Sequence, residues 1–135
     1  MTQKQINDWA YHIISCAIEV HKQLGPGLLE SVYQKCFVEE LRQSDFKVQQ
    51  ELKVPILYKG KDLDCELRID ILVNDCIIVE LKAVEQMIPV YKAQLLSYLK
   101  LTDLPKGLLI NFNCENITSQ IVSLVTKAFA RLPEN

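Results

Sequence analysis

Arg68-Ile69-Asp70-Ile71-Leu72-Val73-Asn74-Asp75-Cys76-Ile77-Ile78-Val79-Glu80-Leu81-Lys82-Ala83 is the stretch that decides the fold. Through its first part, and upstream of it, Leu63, Cys65, Leu67, Ile69, Ile71 and Val73 alternate with Asp62, Asp64, Glu66, Arg68 and Asp70. That period of two predicts a half-buried strand over 62–73. Asn74-Asp75 is a turn signal. From Ile77 to Ala83 the run is more continuously apolar, as in a central strand. Glu80 and Lys82 stand two apart in that run and therefore share a face. A lone carboxylate is costly to bury there. The simplest account is a Glu–Lys pair at a strand end.

The length of the loop decides whether the account can go further. A three-residue loop, Asn74 to Cys76, sets Val73 against Ile77 and Asp70 against Glu80. A two-residue loop sets Asp70 against Val79 and puts the two carboxylates on opposite faces. A metal site therefore demands an odd loop or a bulge. Given one, Asp70 and Glu80 converge on a single hard cation beside Lys82, and oxygen ligands suit Mg²⁺ or Mn²⁺.

Outward from this core, Val48, Leu52, Val54, Ile56 and Tyr58 alternate with polar residues and predict a strand over 47–58, turned at Lys59-Gly60. Ile6, Trp9, Ala10, Ile13, Ile14, Ala17 and Ile18 recur at helical spacing up to Leu24, where Gly25-Pro26-Gly27 stops the helix. A second helix is expected over 28–43. Downstream, 87–101 reads as a helix, 107–112 as a short strand and 118–132 as a closing helix. The order is α-α-β-β-β-α-β-α. A three-strand meander is followed by a helical crossover, which should be right-handed. The fold class is α/β, a mixed four-stranded sheet flanked by helices, with residues 1–135 as one domain.

Composition fits that scale. The chain has 135 residues, 49% of them hydrophobic and 24% charged, enough for one core. No apolar run reaches the roughly 20 residues of a membrane helix, and Met1 to Asp8 lacks the apolar core of a secretory signal. The net charge of −2 argues against a dedicated nucleic-acid coat or packaging protein. It does not exclude a nuclease, whose metal site is itself acidic. Five widely spaced cysteines, with no C-x-x-C, fit small buried side chains in a reducing cytoplasm. There is no Gly-rich phosphate loop and no G-x-S-x-G.

Glu30 follows Gly27 by three and precedes Tyr33 by three, so the three lie along one side of a helix. A carboxylate in a first turn also simply complements the helix dipole. Tyr33 and Leu29 make this side inward-facing, which favours a role in a site. Gln94 and Tyr98, four apart, share a face, although Tyr91, Leu95 and Tyr98 also read as core. His21, one turn before the Gly-Pro-Gly break, reads first as a satisfied core residue. Arg68 projects on the Asp70 face, where it meets a phosphate or pairs with Glu66 or Asp64.

Gly27-Leu28-Leu29-Glu30-Ser31-Val32-Tyr33 matches the G-x-x-E-x-x-Y motif of the GxxExxY proteins, and His21-Lys22-Gln23-Leu24-Gly25-Pro26 resembles that family's lead-in. Arg68-Ile69-Asp70 and Glu80-Leu81-Lys82 resemble the core of the PD-(D/E)xK nuclease superfamily, to which the GxxExxY proteins are assigned. Gln94-Leu95-Leu96-Ser97-Tyr98 is similar to the Q-x-x-x-Y motif of its RecB-like members. Ile69 stands where the proline of "PD" would be. The resemblance covers roughly residues 10 to 130. It implies a restriction-endonuclease-like core and a Mg²⁺- or Mn²⁺-dependent nuclease acting on DNA first, with RNA as the alternative. Asp70, Glu80 and Glu30 would hold the metal, with the Leu81 carbonyl beside them. Lys82 would act on the attacking water and the phosphate. Gln94 and Tyr98 would border the site. Arg68, His21 and Tyr33 are candidates for substrate contact. The alternative is a nuclease fold without turnover that binds nucleic acid or a partner protein, and a homodimer would enlarge so small a surface. A third reading is a structural α/β protein whose charges are incidental.

Overall fold

The computed structural model describes residues 1–135. Two helices, α1 (Gln3–Leu24) and α2 (Glu30–Gln43), precede strands β1 (Val48–Tyr58), β2 (Lys61–Val73) and β3 (Ile77–Lys82). Helix α3 (Pro89–Thr102) leads to β4 (Lys106–Asn111), and β5 (Ile121–Val125) and a short α4 (Lys127–Ala130) close the chain. The five strands lie in the order β1-β2-β3-β4-β5. Only β3 and β4 run parallel, as a helical crossover between them requires.

Each boundary has a local cause. The Thr2 hydroxyl accepts from the Gln5 N–H and caps α1. Gly25, at φ 67°, turns the chain out of it. Pro89 opens α3, and Asp103, at φ 54°, ends it. The apolar stripe of α1 (Ile6, Ile13, Ala17, Val20) and that of α2 (Tyr33, Phe37, Leu41) bury one face of the sheet with Val79, Leu81 and Ile110. Leu95 and Leu99 of α3 cover Ile78 and Leu109 on the other face. Gly107 permits that close approach, since a Cβ there would stand 2.9 Å from the Leu99 side chain.

The expected helix over 118–132 is not formed. Residues Ile117–Gln120 make a single 3₁₀ turn, and Ile121–Val125 form a fifth strand antiparallel to β4. Ile121, Val122, Leu124 and Val125 are too few to separate a period of 3.6 from one of two. Three of them are β-branched, and β4 otherwise offers an unpaired edge. The sheet therefore has five strands rather than four, and only Lys127–Ala130 remains helical.

Candidate active site

The β2–β3 turn has the odd loop that a site requires. Val73 pairs with Ile77, Leu72 with Ile78 and Ile71 with Val79, leaving Asn74, Asp75 and Cys76 between the strands. Asn74 and Asp75 are both left-handed, at φ 50° and 58°, conformations that Asn and Asp tolerate. The Cys76 N–H returns to the Val73 carbonyl at 3.1 Å. The Asn74 side chain is fixed by the Lys47 N–H at 2.9 Å. Asp70 consequently stands opposite Glu80.

There the two strands part. The Asp70 N–H donates to the Glu80 side chain, at 3.2 Å to Oε1, rather than to a backbone carbonyl of β3. Beyond this point β2 pairs only with β1. Glu80 is 5% exposed. Burial above all, and then Asp70 beside it, push its carboxyl up to about 9, and Lys82 acts in the opposite direction. Glu30 opens α2 and is partly buried. Its carboxyl is raised by burial first, then by the charge of Asp70, with Lys82 opposing and Glu51 adding.

Lys82 is not tied into an ion pair with Glu80, the simplest account of that pair of residues. No salt bridge in the fold includes it. Its Nζ lies 4.5 Å from the centre of the Tyr91 ring instead, a cation–π contact that steers the amine toward α3. Val90, Tyr91, Ala93, Gln94 and Ser97 form a shallow pocket with it. Gln94 Nε2 donates to the Tyr98 hydroxyl at 3.2 Å. The Tyr98 phenol is raised by burial first and then by the Glu80 charge. So Asp70 and Glu80 meet at the divergence of β2 and β3 with Lys82 on the same strand face; Glu30 feels the charges of Asp70 and Lys82, Tyr98 that of Glu80, and Gln94 lies beside Tyr98 in the Lys82 pocket.

The three candidates for substrate contact are placed differently. Tyr33 is fully buried and stacked on Phe112 at 4.8 Å. Its hydroxyl donates to the Gly25 carbonyl and accepts from the Leu28 N–H, so it braces the loop that delivers Glu30 and offers nothing to a substrate. Tyr33→Phe should leave that N–H and carbonyl short of a partner. A loss of about 1–3 kcal/mol is expected in chemical denaturation, with Glu30 less firmly placed. His21 Nε2 lies 2.7 Å from the Cys114 carbonyl and ties α1 to the segment after β4. Arg68 remains exposed and pairs with Glu51 of β1, not with Glu66 or Asp64.

Sequence reasoning misses three contributors. Tyr91 reads as core from its spacing, yet it carries the Lys82 amine. Asn111 is buried and clamps the Val84 backbone through its amide, at 3.0 and 2.9 Å, fixing the exit of β3 just past Lys82. A polar residue inside Leu108-Leu109-Ile110-Asn111-Phe112 is the available signal. Glu51 has no signal beyond its place in an alternating strand.

The donor set suits a hard cation. Two carboxylates meet at one point, one of them deeply buried without a cationic partner, and the Leu81 carbonyl is adjacent in sequence. No group of three or more His, Cys, Asp or Glu is already arranged to hold an ion. The residues present thus fit the kind of ion by their oxygen donors, with Asp70 and Glu80 as the pair that would hold it, and do not form a complete ligand set.

A family model described as the PD-(D/E)XK nuclease superfamily matches residues 7–124, nearly the whole chain. Neither the curated proteins nor the solved structures contain a match to it. No helix is long and apolar enough to cross a membrane.

Proposed function

The chain belongs to the PD-(D/E)XK nuclease superfamily, and on that premise we propose that it is a divalent-metal-dependent nuclease of the GxxExxY type that hydrolyses phosphodiester bonds of DNA, with RNA as the alternative substrate. The observation that carries this reading is the meeting of Asp70 and Glu80 where β2 and β3 part, with Lys82 on the same strand face as Glu80. Asp70 and Glu80 would hold Mg²⁺ or Mn²⁺ with the Leu81 carbonyl, and Glu30 would add a carboxylate directly or through water. A bound ion would supply Lewis acidity and lower the pKa of water. Lys82, held over Tyr91, would orient the attacking water and steady charge on the phosphate. Gln94 and Tyr98 form the α3 wall. Five free cysteines support a reducing cytoplasmic setting. A net charge of −2 and an incompletely assembled ligand set favour the second reading, a fold without turnover that binds nucleic acid or a partner protein, alone or as a homodimer.

Titration with Mn²⁺ in a calorimeter separates the two without knowledge of the substrate. The unaltered protein should take up an ion, and Asp70→Ala should bind it about a hundredfold or more weakly, as expected when a charged ligand is removed. Equal binding by both, or none by either, overturns the metal assignment.

A further inference from the structure

Glu51 interrupts a strand at the position opposite Asp70. Gln50 pairs with Ile71 and Leu52 with Ile69, so Asp70 is the residue that Glu51 faces. Its φ is 51°, a left-handed conformation in a residue that is neither Gly nor Asn. Such a backbone costs about 1–3 kcal/mol. Its side chain has two partners. One carboxylate oxygen accepts from the Arg68 Nε, and the other accepts from Gln34 Nε2 of α2 at 3.2 Å.

An exposed ion pair is worth about 0–1 kcal/mol. Both members are largely exposed, at 67% and 41% of their side chains. The pair therefore does not repay the strain through stability. What the arrangement achieves is placement. Arg68 lies two residues before Asp70 on the same strand and so on the same face. Glu51 holds only the inner Nε, and neither terminal guanidinium nitrogen has a protein partner. That leaves a planar fork free at the edge of an otherwise acidic site, in the form that grips a phosphate through two parallel hydrogen bonds.

We infer that Glu51 is a positioning residue, strained so as to hold Arg68 at the lip of the site, where its free guanidinium edge receives a backbone phosphate next to the scissile one. The inference rests on the nuclease reading above. It gives this acidic protein a second cationic contact to a polyanion, beside Lys82, and it predicts an opposition between stability and binding at a single position.

Glu51→Gly releases the strain and drops the tether. Its Tm should rise by about 3 °C. Binding of fluorescein-labelled single-stranded and duplex DNA oligonucleotides, measured by anisotropy in a Lys82→Ala background to prevent turnover, should weaken about tenfold, and the slope of log K against log salt should fall by about one phosphate contact. Arg68→Ala should show the same loss of affinity and slope without the gain in Tm. Glu51→Gln, which keeps an acceptor for Arg68, should restore binding. In the cleaving protein the loss should fall mainly on KM rather than kcat. The inference is overturned if Glu51→Gly binds and cleaves as the unaltered protein does, if its Tm falls, or if Arg68→Ala keeps full affinity. If the unaltered protein neither binds nor cleaves any oligonucleotide, the nuclease reading fails and this one with it. If it cleaves while both variants behave normally, the inference about Glu51 and Arg68 fails and the nuclease reading stands.

Discussion

Lys82→Ala should lower the rate of phosphodiester cleavage by about 10²–10³-fold, the usual effect of removing one preorganised transition-state contact, while divalent-metal binding survives. The reasoning is geometric. Lys82 shares a strand face with Glu80 but forms no ion pair, and its amine rests over the Tyr91 ring. It is thus available to water and phosphate and is not a ligand. A positive amine near a divalent cation repels it, by about 2–8 kcal/mol at 4 Å depending on the local dielectric. Metal affinity should therefore hold or improve in the variant. Single-turnover cleavage and Mn²⁺ calorimetry on one preparation test both halves. A variant that cleaves as fast as the unaltered protein would show that the activity belongs to another site or to a contaminant. A variant that no longer binds metal would make Lys82 part of the ligand scaffold.

The partial legibility of this site has a physical basis. Faces of strands are set by parity, so Asp70 with Glu80, and Glu80 with Lys82, can be paired from the chain once the loop is counted. The loop itself is the weak step. Asn74 and Asp75 permit left-handed conformations but do not compel them, and the choice between two and three residues is settled only by the ladder. Helix α3 is legible from its spacing, which places Gln94 and Tyr98 on one side. The spacing cannot say that Tyr91 lies under the Lys82 amine, because that depends on the register of α3 across the sheet. Gly107 governs that closeness from a distant part of the chain. The C-terminal segment fails for a different reason. Its alternation is too short to reveal its period, and the unpaired edge of β4 decides in favour of a strand. Tyr33 shows how a motif residue can be necessary to a site without touching it, since its hydroxyl braces the loop before Glu30.

Glu80→Gln should make the metal-free protein more stable and deprive it of its ion, and the gain should grow with pH. Glu80 is 5% exposed, and its folded carboxyl is held up to about 9, chiefly by burial. In the unfolded chain it titrates near the ordinary value of about 4.3. Between those two points the folded protein binds the proton more tightly than the unfolded one, so stability falls as pH rises through the interval. Each tenfold difference in proton affinity is worth about 1.4 kcal/mol. An effect of about 3 kcal/mol is well within that range and moves the Tm of a domain this size by about 10 °C. The introduced amide would keep an acceptor for the Asp70 N–H and add a donor toward the Asp70 carboxylate, with no charge to bury. Thermal unfolding from pH 5 to pH 9 should therefore show a declining Tm in the metal-free protein and a flatter one in Glu80→Gln. Saturating Mn²⁺ should reverse the decline in the unaltered protein, because an ion that binds ionised Glu80 stabilises the folded state by an amount that grows with the logarithm of its concentration over Kd. It should do nothing for the variant. A metal-free Tm that stays level across this range would mean that water already reaches the Glu80 carboxylate, and an equal Mn²⁺ effect on both proteins would remove Glu80 from the ligand set.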